Sequence, residues 1–305
     1  MSLDPTAAMP FSRQANGDDT LADFEYYKYT PSMAGAVIFV LLFFISTALH
    51  SWQMFRTRTW FMIPFVIGGA FEFVGYAARA ASSQESPDWT LGPYIIQSIL
   101  LLVAPALFAA SIYMELARIV LLVDGDHALF VRRKWLTRLF VGGDVLSFLM
   151  QSSGGGLMAG SNPSMGEKII LGGLGLQIVF FGLFVVAGIS FHWRISRAPT
   201  SKCAKYPWQK HMWSLYIVSI LIFIRSFVRL VEYAQGWDGY ILGHEWYLFV
   251  FDALLMWISM VVMNMIHPSE VAALIRGSGK MVTRVYQTKD VSSQYQNVQL
   301  SGPWA

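Results

Sequence analysis

The sequence predicts an all-α integral membrane protein, a bundle of seven transmembrane helices. Seven apolar segments are each about 18 residues or longer, which is enough for a helix to cross the hydrocarbon of a bilayer. Of the 305 residues, 55% are hydrophobic and only 13% are charged, whereas a soluble domain carries about 25% charge. The connections between the segments alternate in charge sign, as expected when successive loops lie on opposite sides of a membrane.

Seven spans and two polar tails make up the predicted organisation. The spans cover residues 32–51, 59–81, 94–121, 136–159, 168–191, 213–235 and 246–266. The first thirty residues are polar and have no signal-peptide pattern, so the first span is expected to start insertion itself. We therefore expect an extracellular tail over residues 1–31, a membrane domain over 32–266 and a cytoplasmic tail over 267–305. The Ser, Gln and Val content of this last tail favours disorder.

Basic residues lie on one side of the predicted bundle and acidic residues on the other. The first, third and fifth connections and the C-terminal tail carry Arg56, Arg58, Arg132, Arg133, Lys134, Arg194, Arg197, Lys202, Lys205, Lys210, Arg276, Lys280, Arg284 and Lys289. The N-terminal tail and the other connections carry Asp18, Asp19, Asp23, Glu25, Glu85, Asp88, Asp238 and Glu245. Connections rich in lysine and arginine stay cytoplasmic. The predicted orientation therefore has the N-terminus outside and the C-terminus inside.

Two spans contain residues that disturb a regular helix. Pro105 lies within the third span, where it removes one backbone hydrogen bond and produces either a static kink or a moving hinge. Gly154, Gly155, Gly156 and Gly160 lie at the end of the fourth span. They either let this helix approach a neighbour closely or unwind its outer end.

Ionisable and amide side chains inside the predicted spans form two groups. The group at mid-membrane and toward the outside comprises Glu72, Arg79, Gln97, Gln151, Arg225, Arg229, Glu232 and Asp252, and the inner group comprises Glu115, Arg118 and Asp144. On a helix, residues at i, i+4 and i+7 share one face, as Arg225, Arg229 and Glu232 do. An unpaired charge in hydrocarbon costs about 2.5–3.5 kcal/mol. We therefore expect the two arginines of the sixth span to pair with nearby acids of the outer group.

Two explanations of the outer group remain open. One is a salt-bridge network that holds the helices in register, and the other is a hydrated cavity or route for a ligand. Acids outnumber bases five to three when Glu72, Glu115, Asp144, Glu232 and Asp252 are set against Arg79, Arg225 and Arg229. Excess carboxylate suits a cationic amphiphile or a set of protonated acids. As a ligand site, the group would place Glu232 and Asp252 against a cationic headgroup.

Several functional classes lack their sequence patterns. No G-x-x-x-x-G-K-[ST] pattern for phosphate binding occurs, so ATP-driven pumping by this chain is not expected. No H-x-x-x-H pattern occurs, and His50, His192 and His267 lie at predicted cytoplasmic helix ends, where we expect hydrogen bonding rather than zinc binding. We predict no catalytic residue, no metal, no cofactor and no nucleic-acid partner.

Short motifs recur in a fixed order along the predicted spans. They are Gly75-Tyr76 with Arg79, then Leu102-Val103-Ala104-Pro105 with Ala109, Ala110 and Tyr113, then Asp144 with Gln151 and Gly154-Gly155, then Arg225-Ser226 with Arg229 and Glu232, and finally Glu245, Tyr247, Asp252 and His267-Pro268. In this order the motifs resemble the fungal RTA-like family, also called lipid-translocating exporters, over residues 29–270. Phe227 departs from the pattern, since an aliphatic residue is expected there.

The resemblance implies a fungal seven-helix protein of the plasma membrane that exports or translocates sphingoid long-chain bases. Members are also associated with resistance to toxic amphiphiles such as aminocholesterol and with porphyrin uptake. We therefore expect a transporter-like protein, not an enzyme, with an amphiphilic lipid as ligand and membrane lipids around it. One alternative is a lipid-sensing receptor whose basic connection 192–212 and C-terminal tail bind a cytoplasmic partner. A further alternative is a metal-dependent lipid hydrolase.

Overall fold

Helices make up almost all of the computed structural model, which describes residues 27, 29–86, 89–158, 163–236 and 239–291. The helices are α1 (Met33–Thr57), α2 (Ile63–Gln84), α3 (Leu91–Leu122), α4 (Arg133–Met158), α5 (Pro163–Arg197), α6 (Ser201–Lys205), α7 (Trp208–Ala234), α8 (Glu245–Leu248), α9 (Leu255–Met265) and α10 (Ser269–Arg276). Short 3-10 turns occur at Trp60–Met62 and Asp126–Ala128. Two antiparallel strands, β1 (Lys280–Arg284) and β2 (Gln287–Asp290), form a hairpin near the end of the described chain.

Every predicted span coincides with helical segments, so a mostly helical fold is confirmed for the described residues, with the hairpin as the exception. Several helices extend past the predicted ends, because hydropathy marks only the part of a helix at hydrocarbon depth. Six helical segments of the described chain are long and apolar enough to cross a membrane. They are Met33–Thr57, Trp60–Gln84, Leu91–Leu122, Ser164–Arg197, Trp208–Ala234 and Glu245–Arg276. α4 has a lower apolar content because it carries Arg133, Lys134, Arg138 and Asp144.

Apolar side chains cover the outside of the bundle and polar ones lie within it. On α1, for example, Ile38, Leu41, Phe44 and Ile45 are all more than half exposed. Apolar exposure on this scale marks a surface that contacts membrane or another protein. Inside the bundle, aromatic and methionine side chains pack around fully or nearly fully buried polar residues, including Glu72, Arg79, Glu115, Arg225 and Asp252.

Consecutive helices pack side by side, and α7 lies at the centre of the arrangement. α1 packs on α2, α2 on α3 and α4 on α5, while α7 contacts α3, α5 and α9. α4 and α5 approach closely at Gly154, where a Cβ atom would lie 2.7 Å from the carbonyl oxygen of Gly166. α4 remains helical through Gly156 to Met158, so Gly154 permits close packing. Gly160 lies outside the described residues.

The last predicted span contains an irregular turn. Residues 249–254 are π-helical, between α8 and α9, and Asp252 lies within this turn. A π-helical turn accommodates one extra residue in a helix and is frequently found at functional sites. The prediction of a regular helix over 246–266 was therefore incomplete, because hydropathy does not distinguish α from π geometry.

The expectation of disorder for the whole C-terminal tail was wrong for residues 269–290. α10 buries Val271, Ala272 and Ala273, and the hairpin adds the buried Met281 and Val282. The Ser269 hydroxyl accepts a hydrogen bond from the Val282 N–H at 3.0 Å. These apolar contacts offset the cost of ordering the segment. The remaining tail, residues 292–305, lies outside the described part of the chain.

Candidate functional site: a polar cluster inside the helix bundle

An ion pair between α7 and the π-helical turn forms the centre of the outer polar group. The Nε of Arg225 donates to Oδ1 of Asp252 at 2.6 Å, and the two side chains are only 2% and 4% exposed. The hydroxyl of Tyr76, on α2, donates to Oδ2 of the same carboxylate at 3.2 Å. One buried carboxylate therefore joins α2, α7 and the π-helical turn.

Arg225 also compensates for the proline in α3. A helical residue normally donates its N–H to the carbonyl four residues earlier, and Pro105 has none to give to Leu101. Arg225 Nη2 donates to the Leu101 carbonyl oxygen at 2.6 Å. The guanidinium thus satisfies a carbonyl that the helix leaves without its usual donor, and it joins the proline-containing turn of α3 to the ion pair.

Arg229 and Glu232 form the more accessible edge of this cluster. Arg229 Nη1 donates to both carboxylate oxygens of Glu232 at 3.1 Å, and the side chains are 18% and 15% exposed. Arg229 Nε lies 3.8 Å from Oδ1 of Asp252. The one-face arrangement predicted for α7 therefore brings both arginines against acids, and it leaves one end of the cluster partly open.

Glu72 is the unusual member of the cluster. Its side chain is fully buried, and neither carboxylate oxygen has a hydrogen-bond partner among the residues that the structure describes. The charged side chains that act on it are Asp252, Arg225 and Arg229. Arg225 already donates to Asp252 and Arg229 to Glu232. Glu72 is therefore a third carboxyl group beside two cations that are already paired.

Arg79 lies in a separate site at the end of the bundle that includes the start of α1. Arg79 Nη2 donates to Oε1 of Glu245 at 2.6 Å and to the Tyr29 hydroxyl at 3.0 Å. The same carboxylate accepts the Ser32 N–H at 2.8 Å, at the N-terminus of α1. Burial raises the pKa of Tyr29 above its usual value, so this phenol stays neutral. Arg79 and Glu72 are seven residues apart on α2, but the partner of Arg79 is an acid that the sequence analysis placed in a connection between spans.

The two predicted glutamines have separate partners outside the central cluster. Gln97 accepts a hydrogen bond from the Tyr27 hydroxyl at 3.0 Å, beside the Arg79 site. Gln151 donates to Oε1 of Gln177 at 3.1 Å and so joins α4 to α5. No contact within the described ranges joins Gln151 to the Arg225–Asp252 pair. The outer group is thus one central cluster with separate polar contacts around it.

The three predicted inner residues have three different sets of partners. Glu115 lies 3.7 Å from Nδ1 of His211, Arg118 stacks 4.0 Å from the Phe61 ring centre, and Asp144 accepts the Tyr113 hydroxyl at 2.9 Å. Glu115 and Arg118 lie on α3 and Asp144 lies on α4. They do not form one group, because each contacts a different neighbour.

His211 was missed by sequence reasoning and links the bundle to α10. Its Nε2 lies 3.2 Å from Oε2 of Glu270, which also pairs with Lys210. His50 and His267 lie near each other, with ring centres 6.1 Å apart, whereas His192 packs on Tyr216 and Trp208. Within the described residues, no group of three or more His, Cys, Asp or Glu side chains has a geometry that could hold a metal ion.

The fold and the cluster define a class: a helical membrane protein with a charged, mostly buried centre. The family model for RTA1 like protein matches residues 65–274, a range that contains most of α2, all of α3 to α9 and every charged residue of the central cluster. The chain belongs to the RTA1-like family, so the resemblance noted from the sequence motifs is confirmed. No solved structure matches this chain.

Several curated proteins of Saccharomyces cerevisiae are similar to this chain along most of its length. Protein RTM1 is 35% identical over 288 residues, covering 81% of this chain and 93% of the relative. Protoporphyrin uptake protein 1 is 38% identical over 279 residues, covering 78% of this chain and 90% of the relative. The sphingoid long-chain base transporter RSB1 is 26% identical over 281 residues, covering 80% of this chain and 73% of the relative.

Proposed function

We propose that this protein is a membrane transporter that moves a cationic amphiphilic lipid, of the sphingoid long-chain base type, across or out of the bilayer. The observation that carries the proposal is the central cluster. Three acids, Glu72, Glu232 and Asp252, share it with two bases, Arg225 and Arg229. In an apolar bundle such a group is costly, and a site with excess carboxylate suits an amine headgroup.

The roles of the cluster residues follow from their contacts. Glu232 is the partly exposed acid, so it is the first carboxylate that an ammonium group would meet. Arg225 and Arg229 hold Asp252 and Glu232 in place by donating charge-assisted hydrogen bonds to them. The apolar outer faces of the helices provide a surface for the alkyl chain. Arg79, Gln97 and Gln151 are proposed as surrounding residues, and Glu115, Arg118 and Asp144 as polar residues nearer the other end.

The topology that accompanies this function has seven crossings, with α4 as the fourth. α4 packs along α5 and α3, both of which qualify as spans, and this supports a crossing despite its lower hydropathy. Contacts at one bundle end agree with the proposed topology. Arg276 donates to the Thr57 carbonyl and Gln53 to the Val285 carbonyl, so segments predicted to be cytoplasmic meet at one end.

A plasma-membrane location and the domain boundaries belong to the same proposal. The membrane domain would cover residues 32–266, with an extracellular tail before it and a cytoplasmic segment after it. A relative named as a sphingoid long-chain base transporter supports the proposed ligand class. The names of the relatives also support a function without catalysis.

A liposome assay tests the proposal directly. The purified protein is reconstituted, and transbilayer movement of a fluorescent sphingoid base is compared for wild type, Glu232→Gln and the control Glu167→Gln. Glu167 is an acid of α5 that has no contact with the central cluster among the described residues. We expect movement with wild type and the control and a large loss with Glu232→Gln. Protein-independent movement, or equal rates for all three proteins, would contradict the proposal.

The alternative of a lipid-sensing receptor is favoured by one contact. Lys210 and His211 lie in the basic connection 192–212, and both pair with Glu270 of α10. The two predicted partner-binding segments are therefore in contact. Truncation after residue 291 would leave this described segment intact. A transporter should keep its activity after this truncation. A receptor that signals through the removed residues 292–305 should lose its signal.

A further inference from the structure

A basic cavity lies where the end of α1 meets the end of α10 and the first strand. Its volume is about 520 Å³. The lining consists of Phe55, Arg56, Thr57, Arg58, Arg276, Ser278, Gly279, Lys280 and Asp290. Four basic residues and one acidic residue therefore line a single concave site. Like charges gathered in this way repel each other, and an anionic occupant removes that repulsion.

Arg276 has a structural role in this cavity. Its Nη2 donates to the Thr57 carbonyl at 3.1 Å and its Nε donates to the Ala272 carbonyl at 3.1 Å. The Thr57 carbonyl lies at the C-terminal end of α1, whose partial negative charge a cation offsets, and the Ala272 carbonyl lies one turn before Arg276 within α10. Arg276 is thus already bonded to backbone carbonyls, which do not account for the other three basic residues.

Arg56 and Arg58 remain for an occupant, whereas Lys280 lies opposite Asp290 in the hairpin. No ion pair joins Arg56 or Arg58 to an acid in the part of the chain that the structure describes. Arg58 has a left-handed backbone conformation with φ of 55°, because it ends α1 with its N–H bonded to the Met54 carbonyl. Arginine side chains bind phosphate through paired charge-assisted hydrogen bonds.

The rim of the cavity is apolar and aromatic. Phe55 is 62% exposed and Trp60 is 51% exposed, and their ring centres are 5.7 Å apart. Aromatic rings in such positions favour the level of lipid headgroups. The site therefore has basic groups for a phosphate and, beside them, apolar rings for the first part of an acyl chain.

We infer that this cavity binds the headgroup of an anionic phospholipid. A soluble phosphate compound shares the charge chemistry but has no acyl chain to contact the aromatic rim. The inference is independent of the proposed transport function, because the cavity shares no residue with the central cluster. Anionic lipids attract basic segments at a membrane surface, and a cavity of this kind would fix one such lipid in place.

The test measures binding to the full-length protein in a neutral detergent, by native mass spectrometry and by thermal shift. The probes are short-chain phosphatidic acid, short-chain phosphatidylcholine as the neutral lipid, and glycerol phosphate as the headgroup without acyl chains. The proteins are wild type, the double variant Arg56→Gln/Arg58→Gln, and the control Arg194→Gln/Arg197→Gln. The control removes the same charge from residues that stack on Phe130 and Trp193.

We expect wild type and the control to bind phosphatidic acid most tightly, and the cavity variant to bind it about tenfold more weakly. Equal weakening in both double variants would show non-specific attraction and overturn the inference. Glycerol phosphate binding as tightly as phosphatidic acid would overturn the assignment to a lipid. Melting temperatures without probe establish whether each variant is folded, and Lys280→Gln, which alters a strand residue outside α1, provides a second test of the cavity.

Discussion

Arg225 on α7 donates to the backbone carbonyl of Leu101 on α3, at 2.6 Å. The proline four residues after Leu101 cannot make that bond, so a side chain from another helix supplies the donor. The same guanidinium holds Asp252 through Nε. The proline-containing turn of α3, the helix α7 and the π-helical turn are therefore joined by one side chain at the charged centre.

The arginine and the proline are expected to be energetically coupled. In Pro105→Ala the new N–H can bond to the Leu101 carbonyl, so the arginine donor is needed less. Arg225→Lys cannot reproduce the fixed fork that reaches both acceptors, and should destabilise the wild-type background by about 1–3 kcal/mol. In the Pro105→Ala background we expect that loss to be smaller by about 0.5–1.5 kcal/mol. Unfolding free energies in detergent measure this cycle, and purely additive values would contradict it.

Asp252→Asn should be among the most destabilising conservative changes. It leaves the buried Arg225 without its charge partner, and breaking a buried pair typically costs about 3–5 kcal/mol. Asp124→Asn is the matched control, because Asp124 pairs with Lys202 on the surface and exposed pairs contribute little. Chemical unfolding of both variants checks the prediction. A loss for Asp252→Asn no larger than that of the control would mean that the pair is not formed.

Glu72→Gln is expected to be nearly neutral for stability, within about 1 kcal/mol. A buried carboxylate without partners is costly as an ion, so while no cationic ligand is bound we expect Glu72 to be a neutral carboxyl group, which an amide resembles in size and polarity. The unfolding free energy of this variant should be compared with that of Asp252→Asn under the same conditions. A loss as large as in Asp252→Asn would indicate that Glu72 is ionised and paired.

Glu245→Gln should loosen the beginning of α1. The carboxylate accepts the Ser32 N–H and pairs with Arg79, so the neutral amide weakens both contacts, at a cost of about 1–3 kcal/mol. Hydrogen exchange of the backbone over residues 32–36 should become faster in this variant. Glu85→Gln is the control, since that acid bonds only to Thr90 among the described contacts. Unchanged exchange in Glu245→Gln would contradict the assigned cap.

Glu270→Gln should release the C-terminal segment from the bundle. It weakens the contacts of α10 with Lys210 and His211, and the segment depends on few other polar contacts with α7. We expect faster limited proteolysis within residues 269–291 and little change in the membrane helices. Lys205→Gln, in the same basic connection but outside this contact, should leave the cleavage rate unchanged. Equal protection in both variants would show that apolar packing alone holds α10.

The sequence by itself was sufficient for the class of protein and much of the fold. Apolar segment length identifies helices regardless of their partners, so all seven predicted segments are helical. The spacing of Arg225, Arg229 and Glu232 places them on one face by helix geometry alone, and the structure has them there. The ordered motifs identified the family. These features depend on local chemistry or on order along the chain, both of which are visible in the residues themselves.

The tertiary structure decided which groups meet. Arg79 has Glu245 as partner and not Glu72, because partners on different helices depend on the rotation and axial shift of each helix. The rotation and axial shift of each helix result from the packing of the whole bundle, so no short sequence motif can predict them. The bond from Arg225 to the Leu101 carbonyl involves a backbone atom that every residue possesses, so no residue pattern could signal it. The same holds for the π-helical turn at Asp252, because one extra residue in a turn changes neither composition nor hydropathy.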